Sequence, residues 1–115
     1  MDVSNALEQI KNEFPHIRPY EEDDLEWWNQ GLDLIDAGRL DQAEETFEKL
    51  TLSQPNHPDG VEGLAMVYTK KTDPHKAKIF YREAIRRAEA RVEEGSMDPE
   101  CVQRLRSDLD RLLKT

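Results

Sequence analysis

The sequence predicts an all-α fold of antiparallel helix-turn-helix units, and three observations predict it. Apolar residues recur at steps of three and four along most of the chain, the spacing that gathers them on one helix face. Breakers separate these stretches at short intervals: Pro15 and Pro19, Gly38, Pro55 and Pro58, Pro74, then Gly95 and Pro99. One pattern also returns 34 positions later: Trp27-x2-Gln30-Gly31-x2-Leu34 with Ala43-x3-Phe47 becomes Val61-x2-Leu64-Ala65-x2-Tyr68 with Ala77-x3-Tyr81. Charged residues make up 36% of the chain and aromatics 7%, and no β-branched alternation marks a strand.

The first helix spans Val3 to Phe14, with Ser4 as its expected cap and Leu7, Ile10 and Phe14 on one face. Pro15 ends it, and Pro19 keeps His16-Ile17-Arg18 extended. The acidic run Glu21-Glu22-Asp23-Asp24 begins the second helix, where negative charge complements the helix dipole. That helix carries Leu25, Trp27, Trp28, Gly31, Leu32, Leu34 and Ile35, and Gly38 supplies a left-handed C-terminal residue. Asp41 is the candidate cap of a third helix with Ala43, Phe47 and Leu50 inward. Pro58 opens a fourth helix with Val61, Leu64, Ala65 and Tyr68 inward. Asp73 and Pro74 cap and start a fifth, long helix through Ala77, Tyr81, Ala84, Ile85, Ala88 and Val92, with no breaker before Gly95. Asp98-Pro99 starts the last helix, with Val102, Leu105, Leu109 and Leu112 on one face. Gly31 is expected against Ala43, and Ala65 against Ala77, as small residues where two helices come close.

These motifs resemble the tetratricopeptide repeat, whose period is 34 residues and whose signature is W-x2-L-G-x2-Y, A-x3-F and P. The first copy supplies Trp27, Gly31, Leu34, Ala43, Phe47 and Pro55, with Gln30 where leucine is usual. The second supplies Leu64, Ala65, Tyr68, Ala77, Tyr81 and Ala84; it departs at Val61 and at Glu89, where the closing proline is missing and the helix overruns. The resemblance implies a superhelical α-solenoid: residues 1–20 as N-terminal helix and linker, then a repeat domain over 21–115. Within it, repeat one covers 24–57, repeat two 58–91 and a capping helix 98–114. In the last helix Arg106 stands where Gly31 and Ala65 stood, so no helix packs there and the outer side stays polar.

The resemblance also implies a function, protein–protein interaction, with a peptide or helix of the partner held in a concave groove. Carried over position by position, that groove is lined by Leu25, Trp28, Leu32, Ile35 and Asp36, and by Asp59, Glu62, Met66, Thr69 and Lys70. Trp27 fills the repeat's buried tryptophan place, so Trp28 faces elsewhere and forms an apolar anchoring strip with Leu32 and Met66. Two alternatives stand for that strip: an open site, or one covered by Leu7, Ile10 and Phe14 of the first helix. A self-associating scaffold, with a possible homodimer, is the alternative function. The subclass that grips chaperone C-termini uses basic and asparagine side chains where this chain has Trp28, Leu32 and Gly63, so that ligand is not expected.

Charge and composition bound the rest. Residues 1–57 hold 14 acids and 4 bases, and residues 58–115 hold 11 acids and 12 bases, for a net charge of −9. This excludes nucleic acid as the expected partner, and it favours basic partners at the front half. The stripe Lys78, Arg82, Arg86 reads as a solvated face, or as a contact for another copy's acidic half. His16, His57 and His75 each lie beside or near a proline, none is paired at ligand spacing on a helix, and no phosphate loop or nucleophile motif occurs. No enzyme, cofactor or metal site is therefore expected. Cys101 has no internal partner and reads as a small core residue. No leader segment and no membrane-length apolar run is present, so a cytoplasmic protein is expected.

Overall fold

A computed structural model describes residues 3–20 and 25–114, with residue 25 described in its backbone alone. Six helices follow one another: α1 (Val3–Glu13), α2 (Leu25–Asp36), α3 (Leu40–Ser53), α4 (Asp59–Lys70), α5 (Pro74–Glu93) and α6 (Pro99–Leu113). There is no strand among the described residues. From α2 onward each helix packs on the next, and α2 also reaches α4 across the stack. The expected acidic start of α2, Glu21 to Asp24, lies outside the described residues.

The centre of the stack is α4, held between α3 and α5, with eight of its twelve residues buried. The core joins Ala43, Phe47 and Leu50 of α3 to Val61, Leu64, Ala65 and Tyr68 of α4. From α5 it takes Ala77, Phe80, Tyr81, Ala84, Ile85 and Ala88, and from α6 Leu105. Ala65 and Ala77 are both fully buried, as the small-residue rule requires.

Gly31 is buried as expected, and the atoms nearest to a Cβ placed there belong to the Phe47 ring, well inside contact distance. A Cβ at Gly63 would meet the same ring from α4. The Phe47 side chain therefore fills the space that two glycines leave on helices α2 and α4. Ala43 is fully buried as well.

Helix ends follow the breakers, with two corrections. Ser4 lies inside α1 and so does not cap it. Asp41 is not a cap either: α3 begins at Leu40 after Arg39, which makes no side-chain capping bond, and the Asp41 carboxylate instead accepts from Lys71 Nζ at 2.6 Å. Asp73 and Asp98 do cap, accepting from the amides of Lys76 at 3.2 Å and Glu100 at 2.9 Å, each with a proline just inside the helix. α5 runs 20 residues to Glu93. Gly38 and Gly95 end α2 and α5 with φ of 76° and 79°, and Thr72 takes the same left-handed turn after α4 with φ of 59°.

Helix α1 joins the stack as an additional packing layer. It lies against α3 and α5, the second helices of the two pairs, with Ile10 buried and Leu7 and Phe14 packed on the core. It does not fold over α2 and α4, so of the two alternatives the covered strip is the one the structure overturns. Pro15 and Pro19 steer the chain away from α1. The linker is then fixed at Tyr20, whose amide donates to the Ser53 carbonyl at 2.7 Å and whose hydroxyl accepts from Asn56 Nδ2 at 2.6 Å.

Candidate protein-binding face

The first helices of the two pairs, α2 and α4, share one side of the stack, and α6 closes it beyond α4. Trp28 is half-buried, its ring edge-on to Phe47 with centroids 5.7 Å apart, so the core fixes its orientation while part of the indole stays in solvent. Leu32 and Ile35 are likewise half-buried against the core, and Asp36 is exposed. The side chain of Leu25 lies outside the described residues. Trp27 is only half-buried, so it is not enclosed as the repeat's tryptophan was expected to be.

On α4, Met66 is half-buried and Thr69 and Lys70 are exposed. Thr69 donates back to the Ala65 carbonyl at 2.8 Å. Asp59 is half-buried, its amide donating to His57 Nδ1 at 3.2 Å and its carboxylate 3.5 Å from that nitrogen. This histidine–acid pair belongs to the start of α4, where it occupies an amide that the helix leaves unpaired. Glu62 is buried and already engaged. Arg104 of α6 grips it with two bonds of 2.6 and 3.0 Å, and the carboxylate in return holds the guanidinium proton more tightly than usual, against the effect of burial. Glu62 thus anchors α6 and does not offer a free charge.

Three residues of this face went unread in the sequence: Arg104, Asp108 and Arg111. They are spaced by four and three along α6, and that charged stripe is the signal that identifies them. Arg104 lies 3.4 Å and Arg111 3.7 Å from Asp108. With Thr69, Tyr81 and Leu112, Asp108 and Arg111 line a shallow hollow of about 200 Å³. The burial of Tyr81 there, followed by the nearby Asp108 and Glu62 charges, raises its phenol above the usual range. The face therefore runs from an aromatic and aliphatic strip on α2 to a mixed-charge wall on α6.

Stacked helix pairs whose equivalent residues return at a fixed period define a helical-repeat protein. The tetratricopeptide-repeat model matches residues 27–57 and again residues 62–91, and the chain belongs to that family. Curated proteins and solved structures give no match. Repeats of this family mediate protein–protein interactions, and the family is a non-catalytic one. Among the described residues no helix is long and apolar enough to cross a membrane.

Proposed function

We propose that the α2–α4 face, walled by α6, binds an extended or helical segment of a partner protein. The observation that carries this reading is the place of α1. Because α1 sits on α3 and α5, its Leu7, Ile10 and Phe14 leave Trp28, Leu32 and Ile35 uncovered. A ring held by the core on one side and wet on the other loses little side-chain entropy on binding, which suits an anchor. Asp36 at the end of α2, against Lys70 and Arg111 nearer α6, favours a segment with an apolar centre and opposite charges at its two ends.

The self-associating scaffold is the weaker reading. Gly60 and Gly63 of α4 lie close against Thr51 and Phe47 of α3. Their equivalents one repeat earlier are Glu26 and Asn29, and with Gln30 and Asp33 they form an exposed polar face on α2. Head-to-tail stacking would bury those groups without partners. The test is affinity capture from the native host with the wild-type chain and with Met66→Glu, each checked for an unchanged melt. A partner retained by the first and lost by the second supports the reading. Equal capture by both, or a wild-type chain that sediments as a dimer, overturns it.

A further inference from the structure

We propose that α1 is a proton-operated strap, docked on α3 and α5 while the Glu48 carboxyl is protonated and loosened when that carboxyl ionises. The seam it closes contains a cavity of about 150 Å³. Glu13 of α1 and Glu44 and Glu48 of α3 all line that cavity, beside Ile10, Tyr68, Lys76, Ile79 and Phe80. Like charges are thus brought together from two elements around the half-buried Glu48 carboxyl.

The neighbours do not treat the acids alike. Glu44 is well supplied: it accepts from the Tyr68 hydroxyl at 2.6 Å and from Lys71 Nζ at 2.7 Å. Lys71 is shared with Asp41, and Lys76 lies over the Tyr68 ring at 5.3 Å. Glu48 has no hydrogen-bond donor among the described residues. The charged and titratable groups around it are Glu13 from α1, Glu44 and Glu45 from α3, Tyr68 from α4, Lys71 after it, and Lys76 from α5. Burial, then the Glu13, Glu44 and Glu45 charges, push its carboxyl up to about 7. Burial and the Glu13 charge both ease when α1 leaves, so proton binding and docking favour each other.

The strap is built to come away without unfolding the stack. Ile10 is its buried residue, and Pro15 and Pro19 isolate it from the Tyr20 anchor, which belongs to the end of α3. Leaving, α1 bares Ile79 and Phe80 on α5. The sign follows from the raised value: docking is strongest below the ordinary carboxyl value of 4.5 and is lost as pH rises through about 7. A carboxyl moved that far couples the two events by at most about 300-fold.

The experiment places nitroxides at Asn12→Cys on α1 and Arg82→Cys on α5, both exposed positions, in the full chain carrying Cys101→Ser. Pulsed dipolar distances are measured at pH 5 and pH 8. A single narrow distance at pH 5 that broadens and lengthens at pH 8 is expected, with Glu48→Gln narrow at both. Glu13→Gln should lessen the loosening at pH 8, because one of the charges that raise the docked Glu48 carboxyl is then gone. Identical distances at pH 5 and pH 8 in the parent would overturn the proposal, and so would a Glu48→Gln chain that loosens like the parent.

Discussion

Enlarging Gly31 tests the packing of the binding helix most directly. A methyl group at residue 31 points at the Phe47 ring from α2, and the ring has nowhere to retreat. Gly63 backs it from α4, Trp28 sits on its edge, and Phe47 itself is fully buried. In an exposed helix interior, glycine to alanine gains about 1 kcal/mol from propensity. Here that gain is opposed by overpacking of about 1–3 kcal/mol. Gly31→Ala should therefore be neutral to destabilising by about 2 kcal/mol. Gly31→Leu should lose more, since its branched carbons cannot be placed at all. The assay is urea unfolding followed by helical circular dichroism, with Phe47→Leu and the double variant completing a cycle. Trimming the ring should recover part of the Gly31→Ala loss, a coupling of about 0.5–3 kcal/mol. A Gly31→Ala chain about 1 kcal/mol more stable than wild type, with no coupling to residue 47, would refute the close approach of α2 to Phe47.

The remaining predictions concern other sites. Thr72 is a β-branched residue at positive φ, so Thr72→Gly should raise stability by about 1 kcal/mol, read as a higher melting temperature. Arg104→Ala strands the buried Glu62 carboxylate and should cost about 1–3 kcal/mol, whereas Arg106→Ala, whose partner Glu89 is exposed, should cost less than about 1 kcal/mol. Glu48→Gln should melt above wild type at pH 8 and with it near pH 4, because wild type carries the penalty of the buried charge only once the carboxyl is ionised. Met66→Glu should leave the melt unchanged while abolishing partner capture.

Much of this architecture is legible because it is periodic. Breakers place the helix ends, and the repeated small residues place α4 between α3 and α5. What stays hidden is the part that periodicity does not encode. The fit of Gly31 to Phe47 depends on how far the Phe47 ring reaches, and no spacing rule carries that length. The seat of α1 is hidden for a related reason: Leu7, Ile10 and Phe14 state that one face must be covered, and two apolar surfaces were available to cover it. On the binding face, the family register locates Glu62 but not its engagement by Arg104, which lies 42 positions away. The α6 residues that close the face belong to no repeat, so the register passes over them.

The distribution of burial connects this fold to its use. In α4 and α5 the inward positions are closed on several sides, and the α5 pair of Glu83 and Arg87 is buried as well. Arg87 donates to Glu83 at 2.8 Å and to the His57 carbonyl at 3.2 Å, tying α5 to the turn before α4. Burial would raise the Glu83 carboxyl, but its bonds from Arg86 and Arg87 prevail and hold it below the usual range. Helix α2 has no such ties: Gly31 is its one buried residue among those described, and Trp27, Trp28, Leu32 and Leu34 are half in solvent. Local opening free energy follows buried contact, so α2 should open more readily than α4 in native-state hydrogen exchange. A partner laid along Trp28, Leu32 and Ile35 would supply the burial α2 lacks and should slow exchange there more than in α4. The same helix is then both less secured than α4 and the one of the two with more to gain from a ligand. That is the physical argument for placing the binding face on α2 rather than on the better-buried helices behind it.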